Sequence, residues 1–374
     1  MKKIMVFYGS YGGGHLSAAR SIKEYLENNY SNVEIKLVDC VEYVNKVLNK
    51  ITTTAYLEMA KKFPWAWGFV YKKADKGMIA KFSADSNKLM ALKLNKLLQD
   101  FKPDYVISTH PFSSQMCAYL KKKNKIDFKL ATVMTDYAAH DQWLLYPDQV
   151  NYFFVAHDGM KLDLINKGIS EDKIFATGIP LSNRFLMHYN KLETLKDFGL
   201  KRGKRTVLFF GGGKLGIGKS TPVEMLKAFA EDFPDLQIVA VSGQNAKLKE
   251  DFDRLVQDNN REDTIKVLEF TNKVPELMSI SDLVISKPGG LTTTESLASG
   301  LPIIIINPIP GQEEENAEFL ENSKVAIWIR KNDNIKEKLQ EIFSDPERMQ
   351  KMKVNARLLA KKNSTRDICK IVLS

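Results

Sequence analysis

The sequence predicts an α/β protein with two doubly wound domains, each a parallel, Rossmann-like sheet with helices on both faces. Three observations carry this. Short apolar runs alternate with segments of helical period, in two successive series. Most of the runs are unbroken stretches of β-branched and aromatic residues, as strands covered on both faces require. The chain is 374 residues long, too long for one ordinary domain and suited to two.

The first series places strands at Ile4–Tyr8, Val33–Val38, Tyr105–Ser108, Leu130–Met134 and Tyr152–Val155. The second places them at Thr206–Phe210, Gln237–Val241, Ile265–Leu268, Leu283–Ser286 and Pro302–Ile306. Between them, Leu16–Glu27 and Lys247–Gln257 carry apolar residues at spacings of three and four, the signature of amphipathic helices. The polar stretch Lys191–Lys204, with Gly199 and Gly203, reads as the boundary. This gives domains 1–195 and 196–355, with 356–374 free to cross back as a final helix. Residues 44–101 hold no convincing strand and read as a helical insertion in the first domain.

Composition excludes several classes. Cys40, Cys117 and Cys369 are odd in number and far apart, so neither a disulfide framework nor a CxxC metal or redox site is expected. No apolar run approaches the ~18–20 residues of a membrane span, and the apolar stretch at Ile4 is too short for a secretory leader. A cytoplasmic protein is expected. Residues 1–130 hold 22 of the 55 Lys and Arg but 11 of the 45 Asp and Glu, so the excess positive charge lies in the first third. That asymmetry suits an anionic partner, nucleic acid or lipid surface. No nucleic-acid recognition motif accompanies it, and no nucleic-acid partner is expected.

Three glycine-rich loops follow strands and open helices, where ligands of open α/β sheets bind. In the first, Gly12-Gly13-Gly14-His15, the glycines permit close backbone approach and His15 opens the helix. The second, Gly211 to Ser220, matches both a Walker A pattern (Gly213 to Ser220) and GxGxxG. Downstream strands lack the terminal aspartate of a P-loop hydrolase, which remains the alternative function. In the third, Ser286 to Glu295, Pro288 ends the strand, Gly289 and Gly290 make a bare turn, and a helix starts near Thr292 with amides suited to a diphosphate. Thr292-x-x-Glu295 also fits a capping box, which leaves Glu295 either structural or ligand-binding. The next loop, Pro308 to Ala317, presents Gln312 and Asn316, amides suited to sugar hydroxyls.

These residues resemble a family of GT-B glycosyltransferases, the monogalactosyldiacylglycerol synthases and processive diacylglycerol glucosyltransferases, akin to glycosyltransferase family 28. The resemblance rests on Gly12 to His15, Thr135-Asp136-Tyr137 with His140 and Trp143, Gly178-Ile179-Pro180 with Phe185, Ser286 to Glu295, and Pro308 to Asn316. It implies two domains facing a cleft, with a UDP-sugar on the C-terminal one. Main chain around Phe270, Thr271 and Val274 would then receive uracil and Glu295 the ribose. Gly289, Gly290 and Thr292 would receive the diphosphate, together with Gly212 and Gly213 and, across the cleft, Gly13 and Gly14. Gln312, Glu313 and Asn316 would receive the sugar.

Such enzymes invert the anomeric carbon in one displacement, so the resemblance implies a general base rather than a nucleophile. His15 has the ordinary pKa (~6.5) for that work, with Asp136 as second candidate or as a group orienting the ring. No cofactor and no metal are expected. The one D-x-D, Asp251-Phe252-Asp253, falls inside a helical pattern and reads as a solvated face. In the insertion, residues 46–102 hold 12 Lys and Arg against 4 Asp and Glu. There Trp65, Trp67 and Phe69 beside Lys72 and Lys73, with Trp143 further on, suggest peripheral docking on an anionic membrane that offers a lipid acceptor such as diacylglycerol.

Overall fold

The computed structural model describes residues 1–10, 13–44, 91, 93–123, 126–212 and 220–374. By contacts they fall into two compact units, residues up to 183 together with 361–374, and residues 184–360.

The first unit is a six-stranded parallel sheet in the order β2-β1-β3-β4-β5-β6. Its strands are β1 (Lys2–Tyr8), β2 (Val33–Asp39), β3 (Tyr105–Ser108), β4 (Lys129–Val133), β5 (Tyr152–Phe154) and β6 (Ile174–Phe175). Ile4, Val6, Ile107, Val133 and Phe154 are buried against Ala19, Ile22 and Leu26 of the helix Gly13–Asn29. The second unit repeats the plan in the order β12-β11-β10-β7-β8-β9. Its strands are β7 (Thr206–Phe210), β8 (Gln237–Val241), β9 (Ile265–Leu268), β10 (Leu283–Ser286), β11 (Ile303–Ile305) and β12 (Ala326–Trp328).

All ten expected strands are present, and two edge strands join them. β6 is two residues long and exists through its ladder with β5, which no local pattern signals. β12 lies in the apolar run Val325–Ile329, so its signal was there to be read.

The units divide at 183/184 rather than within Lys191–Lys204. The helix Lys191–Asp197 buries Leu195 with Leu208, Val239, Leu277 and Val284, which fixes it to the second unit. Gly199 and Gly203, at φ +64 and +85, are turns inside that unit. In the insertion, the described residues 93–101 are helical. Trp65, Trp67, Phe69, Lys72 and Lys73 lie outside the described residues.

The final helix, Ser364–Leu373, completes the first unit by burying Ile368, Cys369 and Val372 in its core. Gly178 makes room for this return. It sits at φ +92, and a Cβ there would lie 2.4 Å from Lys361 Cβ. Thr365 Oγ1 then donates to Leu181 O at 2.7 Å and accepts from Leu181 N–H at 2.8 Å. Gly178→Ala is expected to destabilise the protein by about 2 kcal/mol or more, combining positive φ with overpacking. Urea denaturation checks this, and an unchanged midpoint would count against the account.

Candidate active site

In a doubly wound sheet the chain leaves one central strand in opposite directions, and a crevice opens where those directions part. Each unit has one such point. In the first it lies between β1 and β3, because β2 is added on one side of β1 and β3 on the other. In the second it lies between β7 and β10, because β8 and β9 extend one way and β10 to β12 the other. The loops at those two points are the glycine-rich ones.

At the first point, Thr109 N–H donates to Phe7 O and so closes the end of β3 onto β1. The Thr109 carbonyl meets His15 Nδ1 at 2.7 Å, and Thr135 Oγ1, just past β4, lies 3.0 Å from the same nitrogen. A carbonyl only accepts, so Nδ1 carries the proton and the lone pair is on Nε2, the tautomer a general base needs. Beneath it lies His110, its ring centroid 4.6 Å from that of His15 in an edge-on arrangement. His110 Nδ1 accepts from Phe112 N–H and caps the helix Pro111–Lys122. A Cβ on Gly9 would come within 2.8 Å of the His110 ring, so the glycine is required for that contact. Asp136 follows Thr135 and is 7 % exposed. Asp136 was expected as second candidate base or as a group orienting the ring, and the contacts at Nδ1 are made by Thr109 and Thr135.

Burial lowers the pKa of His15 to about 4, against the opposing effect of its Thr109 hydrogen bond. Burial likewise lowers His140 to about 4 and His110 well below the ordinary value, with His15 as a repelling neighbour of both. Below pH ~6.5 the unfolded chain therefore binds protons that the folded rings refuse, so these groups make stability fall as pH drops toward about 4. Each excluded proton is worth about 1.4 kcal/mol per pH unit. Urea midpoints at pH 7.5, 6 and 5 should fall in that order; a constant midpoint would contradict neutral buried rings.

At the second point, Gly212 takes φ +122 and Gly211 is packed so closely that a Cβ would reach Phe252 at 2.9 Å. Gly211 thus serves packing against the helix Ala246–Asp258. Gly213 and the rest of the Walker-like stretch to Lys219 lie outside the described residues. Asp251 and Asp253 are on that same helix, where Phe252 is buried and Asp253 pairs with Lys249.

The turn after β10 is more fully built. The helix runs Gly290–Ala298 with Gly289 as its cap residue. It begins two residues before Thr292, so the capping box does not form: Thr292 lies in the first turn and Glu295 in the second. Glu295 is a half-buried carboxyl whose pKa burial raises to about 8. Over Gly289, the nearest atom to an added Cβ is Glu313 Oε1 at 3.9 Å, so open space adjoins the amide end of the helix.

The loop after β11 braces this turn. Asn316 was expected to meet the sugar, but it is fully buried and its Nδ2 donates to Pro288 O at 2.9 Å, holding the turn from beneath. Glu314 accepts from Gly311 N–H at 3.0 Å at the start of the helix Gln312–Asn322, with Gly311 at φ +96. Glu313 accepts from Ile309 N–H at 2.7 Å and pairs with Lys287 at 3.5 Å. Gln312 opens the helix beside them. Phe270 and Thr271 follow β9, the far edge strand, with Phe270 70 % exposed. Val274 begins the helix Val274–Ile280. Gly13 opens its helix with nothing within 4 Å of an added Cβ, and Gly14 follows it.

One residue of the first unit departs from expectation. Trp143 is 1 % exposed and packs beside His140, so it is part of a core and meets neither lipid nor membrane. His140 beside it is likewise buried. Thr109 and His110 were missed. Their signal was Ser108-Thr109-His110-Pro111, a strand end followed by a helix-opening proline.

Among the described residues, no group of three or more His, Cys, Asp or Glu is placed to hold a metal ion. No helix among them is long and apolar enough to cross a membrane.

Two parallel six-stranded sheets, each with a glycine-rich loop at its switch point, define a GT-B protein. Solved structures share this fold: MurG of Acinetobacter baumannii (TM-score 0.64, 16 % identity, 100 % of this chain and 99 % of that one) and MnaA of S. aureus with UDP (TM-score 0.65, 15 % identity, 98 % and 95 %). Residues 15–181 match monogalactosyldiacylglycerol (MGDG) synthase, and 206–371 match the glycosyltransferase family 28 C-terminal domain. The processive diacylglycerol beta-glucosyltransferase of Bacillus pumilus (strain SAFR-032) is 30 % identical over 98 % of this chain and 93 % of its own length. That of Bacillus subtilis (strain 168) is 28 % identical over 100 % and 95 %. The chain belongs to this family of diacylglycerol glycosyltransferases.

Proposed function

We propose that this glycosyltransferase moves a hexose from a UDP-sugar to the free hydroxyl of diacylglycerol in a single inverting displacement. His15 carries the reading: it is an imidazole held neutral, with Nδ1–H fixed on Thr109 O and Nε2 left to accept a proton. The acceptor oxygen attacks C1 of the hexose, its proton passes to Nε2, and the C1–O bond breaks with its electron pair on the departing diphosphate. In this reading the amides at Gly289 and Gly290, at the start of the helix Gly290–Ala298, receive that charge. Glu295 likewise receives the ribose, and Gln312 and Glu313 the hexose.

The helix dipole and the cation beside it supply the charge balance, so the reaction is metal-independent. The excess of Lys and Arg in residues 1–130 supports reversible docking on an anionic membrane at the cytoplasmic face.

The test is incubation with UDP-hexoses and diacylglycerol in anionic vesicles, with lipid products read by mass spectrometry. Glycosylated diacylglycerol undiminished by EDTA is expected. Inertness toward every UDP-hexose would reject the reading, and sedimentation with vesicles indifferent to anionic lipid and to salt would reject the docking.

A further inference from the structure

We infer that Lys287 is the side-chain cation that receives the donor's diphosphate, and that Glu313 holds it ready and turns to the hexose once it is released. The inference rests on the donor site proposed above.

The two residues come from different loops, Lys287 directly after β10 and Glu313 in the first turn of the helix Gln312–Asn322. Their side chains are 18 % and 16 % exposed, so neither is a solvated surface charge. A pair this far from water is retained at a desolvation cost, which a purely bracing contact between apolar side chains would avoid. Nζ and Oε1 are 3.5 Å apart, looser than the ~2.7–2.9 Å of a charge-assisted hydrogen bond, and an ammonium has three donors. The same Oε1 borders the open space over Gly289, while Oε2 is occupied by Ile309 N–H. The ammonium thus stands one carboxylate oxygen away from where the helix amides point.

A diphosphate arriving over Gly289 brings more negative charge than one carboxylate and draws Lys287 toward it. Oε1 is then free to accept a hydroxyl of the hexose, with the carboxylate still anchored through Oε2. When the C1–O bond breaks, the additional negative charge on the β-phosphate oxygen is met by the same ammonium. Diphosphate and hexose are in this way recognised by one coupled pair.

Calorimetric titration with UDP and with uridine distinguishes this from a structural brace. Lys287→Met should weaken UDP by about 10–100-fold, the worth of one charged hydrogen bond, and leave uridine unchanged. Lys287→Arg should restore most of the UDP affinity. Glu313→Gln should bind UDP at least as tightly as the wild type, yet turn over more slowly. If Lys287→Met binds UDP within about twofold of the wild type, or if both substitutions weaken UDP alike, the inference is wrong. Wild type that ignores UDP and uridine together would overturn the donor site itself, whereas intact uridine binding in each variant reports an intact fold.

Discussion

Replacing His15 with alanine is expected to lower kcat by ~10²–10⁴, the usual contribution of a positioned general base, while UDP binding stays close to that of the wild type. The separation follows from topology. His15 stands at the switch point of the first sheet, whereas the turn proposed for UDP stands at that of the second. The pH profile gives a second, independent readout. Burial holds the imidazole pKa at about 4, so the ring is neutral and able to accept a proton throughout the neutral range. Activity should therefore remain level from pH 8 to 6 and decline only as the pH nears about 4. A variant with near-normal turnover, or a wild-type acid limb centred at ~6.5, would remove His15 from the role. Asp136→Asn provides the comparison: if it alone abolished turnover, the base would be the carboxylate.

Glu295→Ala is expected to raise the KM for the UDP-sugar by about 2–10-fold, since hydrogen bonds between a neutral carboxyl and ribose hydroxyls are worth about 0.5–1.5 kcal/mol. The same substitution should make the protein more stable at alkaline pH. Burial raises this carboxyl's pKa from 4.5 to about 8, so between those values the folded state binds a proton that the unfolded state has lost. The linked stability is present below pH 4.5 and disappears as pH rises through about 8. With its partial exposure allowed for, the wild type gives up on the order of 2 kcal/mol there. Glu295→Gln keeps the shape without the charge, and should melt higher than the wild type at pH 8.5 while binding UDP better than Glu295→Ala does. Equal melting temperatures and an unchanged KM would show a carboxyl with no part in either effect.

The architecture was largely legible because both sheets are parallel and buried on both faces, which writes their strands as unbroken apolar runs such as Thr206–Phe210 and Leu283–Ser286. β6 escaped because two residues hold no period. The site was half legible. Glycine spacing exposed the loops, since glycines between a strand and a helix mark turns where the backbone can approach a ligand closely. Side-chain roles depended on where helices start, which spacing gives only to within a turn. The helix at Gly290 begins earlier than Thr292 suggests, and that shift removed the capping role of Glu295. Asn316 and Trp143 misled for another reason. Their chemistry suits a ligand or a bilayer, but tertiary burial, invisible in one sequence, assigns Asn316 to Pro288 and Trp143 to the interior.

The discontinuity of the first unit has a consequence for biogenesis. Residues 184–360 are contiguous and can collapse as soon as they leave the ribosome, whereas β1 cannot bury its full apolar face until Ile368, Cys369 and Val372 have been synthesised. The segment made first is therefore finished last, and its nascent sheet waits with hydrophobic surface uncovered. Truncation before Ser364 should leave a product that depends on chaperones or aggregates, even though His15 and the glycine-rich loops are all still encoded.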